Sequence, residues 1–231
     1  MKLYNPKNRK MRIAIFSTGL SPNLCNIIDY ERNNDVNYKV VIIVTDRPSG
    51  INLRTGMYYH IPVIIKNIKT FYACRFKPKN NLDIREEFDR NILNALETYK
   101  IDTIVITNYK SIITKPIIDR YLSIGIRHIG LFICNNAEKY VKEIPIKHTI
   151  ENKDKYLYSI IYNVDNRIDR GNIIMISSPM EITYKNNLCE TLNYNINRLK
   201  ETKDLEIFPT TLSLIANENI DRDRIYFYDE F

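Results

Sequence analysis

The chain has 231 residues and a mass of 27.4 kDa, enough to bury a sizeable core in one large α/β domain. Its composition, 44% hydrophobic and 26% charged, is that of a globular protein and excludes a disordered or fibrous chain. The net charge of +7 is open to nucleic acid, to an anionic small molecule, or to nothing beyond a lysine-rich bias, and the absence of the aromatic-interleaved basic motif of a nucleic-acid module makes nucleic acid the unexpected partner.

The start, MKLYNPKNRK, lacks the apolar core of a signal peptide, and no run of about 18 apolar residues follows, so a cytoplasmic protein without a membrane span is expected. Cys25, Cys74, Cys134 and Cys189 lie far apart, with no C-x-x-C and no histidine pair at ligand spacing. They predict reduced, mostly buried thiols and no metal site. Average usage of about 7% would give roughly 16 glycines; the chain has 6, so no glycine-rich ligand loop is legible.

In chain order, Met11–Phe16 (MRIAIF) reads as a strand, the loop STGLSPN follows, and LCNIIDYER repeats its apolar residues at helical spacing. Strands are predicted at residues 39–45 and in IPVIIKN, separated by the turn DRPSG and a helical or irregular segment. The basic run at residues 66–79 reads as a solvated loop. Residues 83–99 then place Ile84, Phe88, Ile92, Leu93 and Leu96 on one helical face, with Asp83 in the N-cap position. A buried strand at 102–107, a helix at 115–122 with Pro116 in its first turn, and a strand containing His128 complete the alternation.

Beyond it the pattern changes. Two β-like runs, YLYSIIYNV and NIIMISSPMEI, are joined by DNRIDRG, and residues 188–217 read as largely helical despite Pro209. This order predicts an α/β fold, a single doubly wound, mainly parallel sheet, with residues 1–231 forming one domain and polar ends at 1–10 and 221–231.

Several segments in the right order resemble the glycinamide ribonucleotide formyltransferase family of folate-dependent purine biosynthesis. IAIFSTGLSPNLCNIID is similar to the family's first strand, phosphate loop and helix; REEFDRNILNALETYKIDTIVITNYKSIITKPIIDRY to its following helix, strand and folate-contacting loop; ENKDKYLYSIIYNVDNRIDRGNII to the stretch ending in Asp-Gly-Gly; and EIFPTTLSLIANENI to its C-terminal helix. The resemblance implies a Rossmann-like formyltransferase fold and transfer of a formyl group from 10-formyltetrahydrofolate to an amine of a phosphorylated acceptor, either glycinamide ribonucleotide or an amino sugar nucleotide. It implies phosphate binding by Ser17, Gly19, Ser21 and Asn23, folate contact by Asn108, Lys110, Ile112 and Ile113, and places Asp169 on the catalytic aspartate.

The family's Asn-x-His pair is missing. With one gap, His128 falls on the asparagine and Gly130 on the histidine; without it, the slots hold Arg127 and Ile129. Pro22 also removes a backbone donor from the phosphate loop. Two readings therefore stand. In one, His128 is the acid/base group and Asp169 its carboxylate, facing one pocket. In the other, catalysis is lost and the protein is a pseudoenzyme that binds a ligand or a protein, with His128 packed in the core, Asp169 shaping its own turn, and Ser17, Thr18 and Ser21 serving as turn and cap residues.

Overall fold

The computed structural model describes residues 1–19, 21–48, 50–76, 81–130, 145–165 and 171–231. Asp169 and Cys134 lie outside the described residues, as does the end of the basic run. β1 (Met11–Phe16) is buried at five of its six positions and pairs in parallel with β2 (Tyr38–Thr45) on one side and β4 (Thr103–Ile106) on the other. β3 (Val63–Ile65) lies beyond β2, and β5 (Leu122–Gly130) beyond β4, both again parallel. Apolar runs of this kind suit a sheet covered by helices on both faces.

Alternation along β1 assigns the two layers. Ile13 and Ile15 pack with Leu24, Ile27 and Ile28 of α1 (Pro22–Asn33) and with Ile207, Phe208 and Leu212 of the last helix. Ala14 and Phe16 face the opposite way, onto Phe88, Ile92 and Leu96 of α4 (Leu82–Leu96). The N-cap of α4 is Asn81, whose side chain accepts from Ile84 N, so Asp83 stands in the first turn of the helix and not at the cap. Between β2 and α4 run α2 (Gly50–Tyr59) and α3 (Ile68–Ala73). The second is a correction: part of the basic run is helical because Asn67 caps it and Tyr72 is buried, its hydroxyl donating to Asn81 O. α5 (Lys115–Ile118) is shorter than predicted, since β5 must begin at Leu122 to pair with Thr103.

After β5 the sheet turns antiparallel. β6 (Tyr156–Asn163) pairs antiparallel with β5 and with β7 (Ile173–Ile176), and the short β8 (Met180–Glu181) also joins β6. The nine-stranded order is β3-β2-β1-β4-β5-β6-β7-β9, with β8 off this path. The C-terminal segment, read as a polar end, supplies β9 (Tyr226–Phe227), parallel to β7, and Lys2 bridges to Asp221 at its start. α6 (Pro145–Glu151) packs on β5, and α7 (Leu188–Glu201) leads directly into α8 (Lys203–Ala216) through Thr202. The cysteines also depart from expectation: Cys25 is half-buried, but Cys74 and Cys189 are exposed. No helix of the described residues is long and apolar enough to cross a membrane.

Candidate active site

The chain leaves β1 toward β2 and β3 on one side of the sheet and returns to β4 and β5 on the other, so the loops after β1 and β4 diverge at a topological switch point, where ligands bind in open α/β sheets. Hydrogen bonds tie these loops together. Thr18 N donates to Asn108 O at 3.1 Å and Lys110 N to Thr18 Oγ1 at 2.8 Å, while the Ser21 and Thr107 hydroxyls meet at 2.6 Å. Ser17 Oγ donates to Gly19 O, and Asn52 Nδ2 to Ser17 O, each at 2.8 Å. Ser17, Ser21 and Asn23 are buried. Of the four residues assigned to phosphate, Gly19 alone is partly exposed, and a side chain there would meet nothing within 4 Å. Ser21 occupies the N-cap of α1 but its hydroxyl serves Thr107 and not the helix. Pro22 opens the helix, leaving its positive end directed at the switch point.

The second loop is held from below. Arg85 Nε donates to Ile112 O at 2.7 Å, and Asp89 accepts from Thr114 N at 2.8 Å and from Thr114 Oγ1 at 2.5 Å. Arg85 and Asp89 form a buried ion pair at 2.8 Å, and Ser111 Oγ donates to the carboxylate of Asp46. Burial pushes the Asp89 carboxyl above its usual range even though Arg85 and Thr114 pull it down, and burial likewise raises the Tyr109 phenol, which packs edge-on against Phe16. Asn108 sits in the left-handed region at φ 50°, where asparagine is tolerated. Ile112 remains half exposed while its carbonyl is fixed, and Ile113 packs on the apolar layer beneath α4.

His128 stands opposite Ser159 in the β5–β6 ladder. Its Nε2 lies 2.9 and 3.1 Å from the two carboxylate oxygens of Asp204, in the first turn of α8. Ser159 Oγ donates to Asp204 Oδ1 at 2.5 Å and Asn23 Nδ2 to Oδ2 at 3.2 Å. Asp204 is 1% exposed, so a carboxylate taken from water is met by donors from β5, β6 and α1. His128 is thus neither an apolar core residue nor seen beside Asp169, which lies outside the described residues. The alternative slots are otherwise engaged. Arg127 lies over the Tyr162 ring at 4.0 Å, and Ile129 packs with Tyr158, Ile160 and Ile176. A Cβ on Gly130 would fall 2.9 Å from that of Thr149, so α6 occupies the space of a side chain there.

The sequence model of the formyl transferase family matches residues 11–211. The chain belongs to that family. Within it, the chain is 24% identical over 219 residues to the human trifunctional purine biosynthetic protein adenosine-3 and 23% identical over 216 residues to the chicken protein, covering 93% and 91% of this chain. It spans 19% of the length of each of those relatives. The phosphoribosylglycinamide formyltransferase of Bacillus halodurans shares the fold with a TM-score of 0.67 at 22% identity, over 87% of this chain and 93% of that one. Glycinamide ribonucleotide transformylase 1 of Geobacillus kaustophilus gives 0.69 at 20% identity, over 90% and 100%. In this family member the sequence reading missed Asp204, Ser159, Thr107, Asp46, Arg85 and Asp89. Only Asp204 carried a local signal, an acidic residue two positions after Thr202 at a helix start.

Proposed function

We propose that the protein is a folate-dependent formyltransferase acting on an amine of a phosphorylated acceptor, glycinamide ribonucleotide or an amino sugar nucleotide, in the cytoplasm. The observation that carries this reading is His128, held by a buried carboxylate that also binds Asn23 at the start of α1, in a chain of the formyl transferase family. 10-Formyltetrahydrofolate supplies the formyl group. The pinned 108–114 loop, with the half-exposed Ile112 on a fixed backbone, fits a flat heterocycle with an apolar face. Gly19 and the start of α1 take the acceptor phosphate through backbone donors and the helix dipole. His128 accepts a proton from the attacking amine as the new C–N bond forms and returns it to the folate N10 as the bond from N10 to the formyl carbon breaks, and the family resemblance gives Asp169 the part of a further carboxylate in this proton transfer.

A second reading, a ligand-binding member without catalysis, is favoured by the closure of the Gly130 slot and by the internal use of the Ser17 and Ser21 hydroxyls. The test is transfer from 10-formyltetrahydrofolate to glycinamide ribonucleotide and to amino sugar nucleotides, followed by mass spectrometry of the acceptor. Formylated product, lowered roughly 10²- to 10⁴-fold by His128→Ala, is expected. Absence of product from every acceptor, with folate or nucleotide still stabilising the fold by about 2.7 kcal/mol at 100 times the dissociation constant, selects the second reading.

A further inference from the structure

We infer that Asp204 is a positioning residue that fixes His128 as the Nε2–H tautomer, so that Nδ1 is the nitrogen that takes the proton; this rests on the reading above. A carboxylate accepts and does not donate, so an imidazole bonded to it through Nε2 carries its proton there, and in the neutral ring the lone pair is then on Nδ1. Nε2 is bonded to both oxygens of Asp204, and these are the hydrogen bonds the His128 ring makes among the described residues. Asp204 cannot swing away, because Ser159 and Asn23 hold its two oxygens from different elements. The pairing of His128 with Ser159 across the antiparallel ladder sets the ring and the hydroxyl side by side on one face, both directed at the same carboxylate. Carboxylates orient catalytic imidazoles in this way at other sites, and loss of the charge there presents the wrong tautomer.

The protein has 3 histidines, so ¹⁵N-histidine labelling, with His60→Gln and His148→Gln variants for assignment, isolates the His128 ring. The expected result is a neutral ring protonated at Nε2 in the wild type and a shift of the proton toward Nδ1 in Asp204→Asn. The transfer rate kcat of Asp204→Asn should fall roughly 10²- to 10⁴-fold with KM little changed. Ser159→Ala keeps the carboxylate and should retain the tautomer with a smaller loss, which guards against a folding defect in the first variant. A wild-type ring protonated at Nδ1, or an unchanged tautomer in folded Asp204→Asn, overturns the inference. A wild type without transfer activity overturns the function reading, and the tautomer measurement then decides the role of Asp204 by itself.

Discussion

Asn26 Nδ2 donates to the carbonyl oxygen of Leu205 at 2.8 Å, and that oxygen is the one left without its helical donor by Pro209, four residues later inside α8. An interior proline removes this bond and ordinarily breaks a helix. Here α1 supplies the missing donor, so α8 runs on to Ala216. Asn26→Ala should therefore destabilise the protein by about 1 kcal/mol, the cost of a part-buried carbonyl left unpaired. In a Pro209→Ala background, where the backbone N–H returns, the same substitution should cost less. A double-mutant cycle by denaturant unfolding reads the coupling, and equal costs in both backgrounds refute the account.

The pinning of the second loop is tested at Asp89. Asp89→Asn keeps an acceptor for Thr114 N but leaves the buried guanidinium of Arg85 without its counter-charge. Loss of one partner from a buried pair costs about 3–5 kcal/mol. The expected result is that loss in chemical denaturation, together with weaker folate binding by calorimetry; a variant as stable as the wild type contradicts a structural pair.

Asp102 ties the N-terminal arm to the sheet, accepting from Lys7 Nζ and Arg9 Nη1, each at 2.5 Å. Burial pushes its carboxyl up, but the hydrogen bonds from Arg9 and Lys7 more than reverse this and hold it below the ordinary 3.8. A depressed carboxyl binds fewer protons in the folded chain, so its contribution is complete above 3.8 and is lost as pH falls through the depressed value. Asp102→Asn should flatten that acid limb: the stability difference between wild type and variant, large at about pH 6, should shrink at about pH 3. Equal differences at both values exclude Asp102 as the titrating group.

Gly130 ends β5 where Thr149 of α6 packs, and an added methyl would lie 2.5 Å from Thr149 Cγ2. Overpacking of this kind costs about 1–3 kcal/mol. Gly130→Ala should lower the melting temperature, and Thr149→Ala should relieve part of the loss when combined with it. If Gly130→Ala melts like the wild type, the slot is open and a histidine there is sterically admissible.

Much of the architecture is legible along the chain because periodicity reports burial. Met11–Phe16 is covered on both faces and so reads as an apolar run, broken by Arg12 alone, with visible ends. The face of α4 shows in Phe88, Ile92 and Leu96 at helical spacing, and the end of the alternation shows in the two β-like runs after β5, although their antiparallel pairing, which begins between β5 and β6, is not legible in the sequence. Arg85 and Asp89 on that same α4 face defeat the pattern, because a charge is read as solvated unless its partner is known. The 66–79 run fails for a related reason: its lysines and arginine mask a turn of helix anchored by one asparagine cap and one buried tyrosine.

The sequence by itself determined the alternation of strands and helices outside the 66–79 run and the C-terminal segment, the family resemblance, and His128 as a residue worth testing. Only the tertiary structure decided what His128 touches. Asp204 is 76 positions from His128, 45 from Ser159 and 181 from Asn23, and no local rule of spacing connects residues so separated. Hydrogen-bonding partners across such distances are set by how the sheet registers and how α1 and α8 pack against it. The same packing closed the Gly130 slot, since the obstacle there is a threonine side chain brought by α6, which Gly130's neighbours in sequence do not foretell.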